Sequence, residues 1–483
     1  SLTIKVNKKQ WVNGNQSKYI MDDFKKFLSE QSDEQPYKIL VISAEPTKEK
    51  MFHTAQRVTD EAKKLGHDVY VVKVEGAIVS YENEWRIYNS DDKKGFVIDA
   101  HNTVAIVRGS VRLKKSYLDL LSQLEKIGVC MVNSRETVEI SADKYRTYLK
   151  LQDFGLTQPK TVLIPNKENW KEAVEKLDTT YPMIMKTLEG SKGVGVLFIE
   201  SERQIESLVQ LLYSQNENID LLLQEYKKTD GDIRVIVLGG KVVASMKRQV
   251  VEGDFRSNVS QGAKVQEYPL SELEIEQCLL ASKAIDGSWT AVDFIPSKNP
   301  KSEPPHILEV NHSPGTEGIE KATKTNIVKM VLEHFSKSKN RYSVANQCGY
   351  YETLTIKPFG ELVGKFDTGN SKYSVLHAED LKVVGGRVTF TLNGKTVTTK
   401  HYGTYVSVTG GGDDERYIVK FDMEFAGTLY KGVEFGLDNR ERMGTEVLLN
   451  RKTMKMLNVM VSPSRKYIVT TKFTIDKEKE NDN

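Results

Sequence analysis

The spacing of apolar positions changes style along the chain. From Tyr37 onward, short continuous apolar runs alternate with amphipathic stretches. Lys38-Ile39-Leu40-Val41-Ile42 reads as a buried strand, and Phe52 to Leu65 as a helix stopped at Gly66. Strands are predicted over Asp68–Val74, Val104–Val107 and Gly128–Val132, the βαβ rhythm of a small parallel sheet. Ahead of it, residues 1–35 form a polar lead-in with helical spacing at Met21, Phe24, Phe27 and Leu28. A second α/β stretch opens with a predicted helix over Ser141–Leu151. It also holds a hairpin-like pair, Ile233–Leu238 and Lys241–Ser245, joined by Gly239-Gly240. After the polar linker KSKNRYSVANQ, strand-sized alternating runs with glycine turns take over, as in Val388–Leu392 before Asn393-Gly394 and Tyr402–Val408 before Gly410. That style predicts an all-β domain. The resulting plan is a lead-in (1–35), an α/β domain (36–135), a second α/β domain (136–338), a linker (339–350), a β domain (351–475) and a charged tail (476–483) expected to fray.

Length agrees with this plan: 483 residues correspond to about three domains at the usual domain size. Basic residues number 69 and acidic ones 66, so the net charge is +3, which excludes a globally basic nucleic-acid-coating protein. No nucleic acid is expected as a partner. Hydrophobic residues at 39% and charged residues at 28% describe a chain that can bury a real core. No apolar run approaches the roughly 18 residues of a membrane span, so no membrane partner is expected either. The first ten residues lack an apolar signal core, and Ser1 stands in place of Met, which reads as a processed end of a protein that is not secreted. Cys130, Cys278 and Cys348 are widely spaced with no CxxC, which points to reduced thiols in a cytoplasmic protein and against a cysteine-held zinc.

The chemistry concentrates in the middle region. Met183 to Lys186 reads as a strand, followed by a glycine-rich loop with Gly190, Lys192, Gly193 and Gly195, then a second strand. Glycines let backbone N–H groups approach phosphates, and a lysine at a strand end neutralises them. The loop is neither a Walker A loop nor a Rossmann fingerprint, because a strand follows it rather than a helix. Asp293 lies in a strand-like run, and Glu309 and Asn311 lie two apart in another, so these two share a face. Two carboxylates and an amide oxygen on adjacent strands make a hard oxygen cradle suited to Mg²⁺ on a phosphate. The competing reading is a solvated strand face, which the flanking Ile307, Leu308 and Val310 argue against.

Four words carry a resemblance: QEY (Gln224–Tyr226), GDIRVIV (Gly231–Val237), EGDFRSN (Glu252–Asn258) and LEVNHSPGTEGIE (Leu308–Glu320). In this order and spacing, the stretch from Ser141 to Phe335 resembles a RimK-type ATP-grasp ligase, a carboxylate–amine ligase that adds glutamate to protein C-termini. The resemblance implies a pre-ATP-grasp α/β sheet followed by the ATP-grasp fold, with ATP and Mg²⁺ or Mn²⁺ as cofactors. It implies that Lys144 and Lys186 contact ATP phosphates. Glu225 and Tyr226 would form the adenine-binding hinge, and Asp232 would sit near the ribose. Arg256, Ser257 and Asn258 would line the phosphate side, and Asp293, Glu309 and Asn311 would hold the metal. Arg248 would face the acyl-phosphate oxygens as the catalytic cation. The chain departs from the pattern at Ser260-Gln261-Gly262-Ala263, where a paired glycine is usual, which leaves substrate identity open.

Such a ligase converts a carboxylate into an acyl phosphate, and an amine then displaces phosphate. The work is positioning and charge stabilisation, so no nucleophilic side chain is required. Between Lys227 and Lys264 eight Lys or Arg residues face four Asp or Glu, a local excess of +4 against +3 for the whole chain. The expected partners are therefore an acidic peptide or protein C-terminus and a free amino acid, glutamate by the resemblance. The alternative is a solvated basic face.

In the C-terminal region an apolar run from Phe359 ends in Asp367-Thr368-Gly369, followed by Ser374–Ala378 and later by Phe435–Arg440 and Thr445–Arg451. This arrangement resembles the retropepsin-like aspartic protease domain linked to RimK-type ligases. The resemblance implies an all-β fold and catalysis by Asp367, oriented by Thr368, with Gly369 allowing the turn. One chain supplies one such triplet, so a homodimer or higher homo-oligomer is implied. Asn370 stands where a small residue is usual, and Asn450 replaces a glycine under the catalytic loop, where a side chain is expected to disturb it. A competing reading makes this domain a non-catalytic dimerisation or peptide-binding module. A third directs ligation at a small peptide or cofactor tail.

Overall fold

The computed structural model describes residues 36–43, 53–81, 83–100, 102–109, 115–188, 195–249, 264–341, 343, 345–409 and 412–470. The lead-in, the tail, the loop residues Gly190, Lys192 and Gly193, and Arg256, Ser257, Asn258 and 260–263 lie outside the described residues. The chain divides into two compact units, 1–343 and 344–483.

The first unit opens with β1 (Lys38–Ser43), α1 (His53–Lys64), β2 (Asp68–Lys73), β3 (Ile78–Tyr81), β4 (Trp85–Tyr88), β5 (Phe96–Ile98), β6 (Thr103–Arg108), α2 (Lys115–Ile127) and β7 (Cys130–Val132). Strands β2, β1, β6 and β7 form an all-parallel sheet in that order. β1, β6 and β7 are buried on both faces, which is why their sequences are apolar runs, while the edge strand β2 is mostly half-exposed. The antiparallel meander β3-β4-β5 is absent from the sequence reading; its strands are short and mostly half-exposed, so they lack a strong apolar signal.

The predicted helix over Ser141–Leu151 is two helices, α3 (Arg135–Ala142) and α4 (Lys144–Asp153). Asp143 between them is extended and accepts hydrogen bonds from the Tyr145 and Arg146 backbone N–H groups. A good cap therefore restarts the helix inside a run that periodicity alone reads as continuous. The chain continues with β8 (Thr161–Ile164), α5 (Trp170–Leu177), β9 (Met183–Thr187), β10 (Val196–Ile199), α6 (Glu202–Gln215) and β11 (Leu221–Glu225), giving an antiparallel sheet ordered β10-β9-β11-β8.

Next come β12 (Gly231–Leu238), β13 (Lys241–Gln249), β14 (Val265–Glu267), α7 (Glu272–Ala284), β15 (Trp289–Ile295), β16 (His306–Asn311), α8 (Glu317–Thr323) and α9 (Ile327–Ser336). The five strands pair antiparallel in the order β14-β13-β12-β15-β16. The β12–β13 turn puts both Gly239 and Gly240 at positive φ, +53° and +73°, the requirement of a two-residue hairpin. A β-carbon on Gly239 would also fall 2.2 Å from the His334 ring.

Period two assigns the faces of this sheet. Ile233, Val235, Val237, Val292, Phe294, Ile307 and Val310 pack on α7 through Cys278 and Ala281. On the opposite face, Ile236, Leu238, Ala244, Met246, Trp289 and Ala291 join a core with Ile39, Val41 and the α9 residues Val328, Val331, Leu332 and Phe335. That core fuses the parallel sheet to the five-stranded sheet, and the buried Tyr37 hydroxyl donates to the Leu332 carbonyl at 3.0 Å. The rest of the same face carries the charged residues of the candidate site.

The second unit comprises β17 (Asn346–Gly349), β18 (Tyr351–Ile356), β19 (Gly360–Phe366), β20 (Ser374–His377), β21 (Glu379–Val384), β22 (Arg387–Leu392), β23 (Lys395–Lys400), β24 (Thr404–Thr409), β25 (Gly412–Phe425), β26 (Thr428–Asp438), β27 (Val447–Leu449), α10 (Arg451–Leu457) and β28 (Val459–Ser462). Its main sheet runs β18-β19-β27-β20-β26-β25-β24, and β18 also pairs with β25, which closes it on itself. Phe359, Phe390, Phe435, Leu354 and Leu376 fill the interior. The expectation that the Asn450 side chain disturbs the loop is corrected here. Asn450 is 1% exposed and caps α10, accepting from the Thr453 N–H at 2.9 Å while its amide donates to the Lys372 carbonyl at 2.9 Å. It ties the segment after the Asp-Thr-Gly turn to the helix, so the side chain builds the loop.

Candidate active site

Strand register brings the middle-region residues together. Asp232 pairs with Arg248 across β12–β13, Arg234 with Asp293 across β12–β15, and Asp293 with Glu309 across β15–β16. Directly paired residues project to the same face, so six polar side chains, including Asn311, form one patch. Arg248 grips Asp232 with two bonds, Nε to Oδ1 at 2.7 Å and Nη2 to Oδ2 at 2.5 Å, and Nη2 also reaches Asp293 Oδ2 at 2.9 Å. Arg234 grips Asp293 in the same forked way, Nε to Oδ1 at 2.7 Å and Nη2 to Oδ2 at 2.5 Å. Arg234 Nη2 lies 3.9 Å from Glu309 Oε1, which accepts the Asn311 amide at 2.9 Å.

Asp293 is 1% exposed. Burial alone would raise its carboxyl, but Arg234 and Arg248 overcome that and hold it well below the usual range. Asp232 shows the opposite balance: burial pushes its carboxyl up despite Arg248. Burial works against the charge on Arg248, and Asp293 and Asp232 more than restore it. Glu309 is raised by its surroundings and by the negative charge of Asp293, although 44% of its side chain stays accessible.

The second sheet supplies the facing cations. Met183 and Met185 point into the α5–α6 core, which leaves Lys186 on the other face. Lys186 Nζ donates to Gln224 Oε1 at 2.7 Å, and Gln224 in turn donates to Thr161 Oγ1 at 2.9 Å. Burial lowers the Lys186 amine to about 8; the Glu309 charge opposes that shift and Lys144 adds to it. Lys186 and Glu309 therefore lie within reach of each other's charge. Lys144 starts α4 and donates to the Thr187 and Leu188 carbonyls at 3.1 and 3.0 Å, next to the glycine-rich segment. Glu225 ends β11, where its N–H donates to the Lys160 carbonyl at 2.8 Å. Burial opposes its ionisation, and bonds from Lys227 and the Lys160 backbone hold its carboxyl below the usual value. Tyr226 packs edge-on against Phe198 at 5.0 Å.

The structure thus gathers Arg248, Asp232, Asp293, Glu309 and Asn311 into one patch, with Lys186 on the second sheet, Lys144 at the start of α4 and Glu225 and Tyr226 at a strand end. Asp232 is held by Arg248 in a closed pair. Arg234 and Gln224 are tied to Asp293 and Lys186, and the sequence reading left both without a role. Arg234 sits two residues from Asp232 on a strand, and that spacing was the available signal. Among the described residues, no three His, Cys, Asp or Glu side chains gather as a metal cage.

In the second unit, Asp367 follows β19. Its N–H donates to the Leu449 carbonyl at 2.9 Å, and its Oδ1 accepts the Gly369 N–H at 2.9 Å. Thr368 and Gly369 are exposed and Asp367 is half-buried.

Residues 141–335 match the RimK-like ATP-grasp domain. The chain is 31% identical over 303 residues to a probable alpha-L-glutamate ligase of Marinomonas sp. (strain MWYL1), covering 62% of this chain and 96% of that one. It is 32% identical over 305 residues to the corresponding protein of Pseudoalteromonas translucida (strain TAC 125), covering 62% and 97%. Among solved structures, the ATP-grasp ligase PsnB complexed with minimal precursor matches with a TM-score of 0.46 and 18% identity, over 62% of this chain and 98% of that one. The chain belongs to the RimK-like ATP-grasp ligases, a family that forms amide bonds.

Removing the guanidinium of Arg234 leaves Asp293 with one cation in a buried setting. Arg234→Met is expected to destabilise the first unit by about 3 kcal/mol, and Arg234→Lys, which lacks the fork, to recover only part of it. Urea unfolding measures this; an Arg234→Met variant within about 0.5 kcal/mol of wild type contradicts the arrangement.

Proposed function

We propose that this protein is an ADP-forming carboxylate–amine ligase that adds glutamate, or another amino acid, to an acidic peptide or protein C-terminus. The observation that carries the reading is the charged patch of Asp232, Arg234, Arg248, Asp293, Glu309 and Asn311 facing Lys186. In this reaction a substrate carboxylate oxygen attacks the γ-phosphorus of ATP and ADP leaves. The amine then attacks the acyl carbon, the C–O bond to phosphate breaks, and the amine gives up a proton.

Lys186 and Lys144 neutralise ATP phosphates, and the Glu225–Tyr226 strand end offers main-chain groups to adenine. Asp293, Glu309 and Asn311 fit Mg²⁺ or Mn²⁺ by chemistry: two carboxylates and an amide oxygen, with Glu309 still accessible. Bound there, the cation would supply charge neutralisation to the phosphates. Arg248, on the outer strand of the patch, contacts Asp293, which supports a role for its guanidinium in meeting charge that develops on the transferring group. The excess of cations between Lys227 and Lys264 supports an acidic acceptor. The three buried free thiols support a cytoplasmic setting.

A second reading concerns the C-terminal unit. The turn at Asp367 is held from beneath by the Leu449 carbonyl and by Asn450, which favours a fixed aspartate in a peptide-handling module. Two copies of the chain would bring two such carboxylates together to share one proton and activate water. A module that only binds peptide or dimerises is the alternative.

ADP release that requires both glutamate and an acidic acceptor tests the ligase reading, and Glu309→Ala is expected to abolish it. Lys186 loses its charge as pH rises through about 8, so kcat/KM for ATP is expected to fall above that pH. Lys186→Arg is expected to flatten that limb. ADP release that ignores glutamate, or survives Glu309→Ala, overturns the assignment. For the second unit, peptide trimming is expected to vanish in Asp367→Asn, and trimming that persists excludes Asp367 as the catalytic group.

A further inference from the structure

Arg108 ends β6 at the C-terminal edge of the parallel sheet and is 3% exposed. Among the described residues no carboxylate pairs with it. Its guanidinium lies over the Trp289 ring at 4.7 Å, and Nη2 donates to the Pro314 carbonyl at 2.6 Å. Nε and Nη1, which together carry three N–H groups, are buried without a hydrogen-bond partner. The neighbours share this condition. Tyr117 Oη, Trp289 Nε1 and, two residues beyond Pro314, Thr316 Oγ1 are likewise buried and unpartnered, whereas His312 gives a hydrogen bond to the Gly109 backbone. Tyr117 lies within the field of the guanidinium. The 312–316 segment is fastened to the strand end by the Arg108–Pro314 bond and by the Gly109 N–H donating to Ser313 Oγ at 2.9 Å.

Each of these unpartnered groups can donate a hydrogen bond, and among the described residues nothing negative offsets the guanidinium. Leaving one buried donor unmet costs about 1–3 kcal/mol, and a buried unpaired charge costs more. Burial lowers Arg108 to about 9, a measure of how poorly the site compensates its cation. A cluster of donors around an uncompensated cation matches a ligand that brings negative charge and several acceptor sites. A carboxylate has two oxygens and about four such sites. The place also fits a substrate. The C-terminal ends of parallel strands are where α/β sheets bind ligands. The 312–316 segment directly follows Asn311, so the cluster adjoins the charged patch. The segment reaches the surface at Gly315, whose side-chain position opens on free space.

We propose that Arg108, with Tyr117 and Thr316, forms a binding site for a substrate carboxylate, the anchor of the amino acid or of the acidic peptide end. This rests on the ligase reading for the identity of the ligand. Trp289 fixes the plane of the guanidinium, and Pro314 holds its outer nitrogen.

The test uses the full chain, with L-glutamate, a short glutamate peptide and inorganic phosphate as probes at constant ionic strength. Without ATP, glutamate or the peptide is expected to raise the melting temperature of wild type, and Arg108→Gln is expected to lose that rise. In ADP-release assays Arg108→Gln is expected to raise KM for one of these substrates about tenfold or more, with KM for ATP unmoved. Tyr117→Phe, which removes one unpartnered hydroxyl, is expected to raise the same KM about threefold and carries the test if Arg108→Gln does not fold. The substrate whose KM moves identifies the source of the carboxylate. A wild-type melting temperature that ignores both carboxylate probes overturns the proposal, as does a rise with phosphate alone or an unmoved KM in both variants. A wild type that releases no ADP refutes the ligase reading; a working ligase with unmoved KM refutes only this site.

Discussion

Asp293 sits between two guanidiniums, and the first unit is arranged around that fact. Its carboxylate takes both fork donors of Arg234 and one donor of Arg248, in a position that is 1% exposed. A buried carboxylate tolerates such a position only with partners of this strength. The three residues come from β15, β12 and β13, so strand register must be held to the residue. The apolar half of the same sheet face provides that hold. Ile236, Leu238, Ala244, Met246, Trp289 and Ala291 lock against the parallel sheet and α9, and a slip of one residue would send each of them, and each charge, to the wrong side.

The same arrangement separates the titration behaviour of neighbouring groups. Two cations hold the Asp293 carboxyl down, its charge pushes Glu309 up, and burial lowers Lys186 across the cleft. Groups displaced in opposite directions within one cleft mark a site prepared for charged ligands. In the protein alone the carboxylates and guanidiniums compensate each other. A phosphate and its cation would meet partners already desolvated and oriented, so the exchange costs little reorganisation. Arg108 differs because its charge has no counterpart among the described residues.

What the sequence revealed divides along physical lines. Strands buried on both faces announced themselves as apolar runs, and Glu309 and Asn311 could be placed together because period two is strict. The Gly239-Gly240 hairpin was legible because only such a pair suits its turn. Arg234 went unassigned because its importance lies in a cross-strand partner, 59 residues away in sequence, which no local pattern encodes. The break at Asp143 was hidden because capping competes with a continuing amphipathic pattern on nearly equal terms. Asn450 was misjudged for a related reason: its side chain replaces glycine's freedom with a cap and a tie to Lys372. The unpartnered donors around Arg108 come from three separated segments and exist only in the folded chain.

The proposed work of this patch is to join an amino acid to an acidic end. Intact-mass analysis of acidic peptides incubated with the full chain, ATP, Mg²⁺ and glutamate tests it most directly. The expected result is a ladder of masses rising in whole glutamate residues, formed only when ATP is present. Peptides of unchanged mass across a range of acidic C-termini, despite ATP turnover, would contradict it.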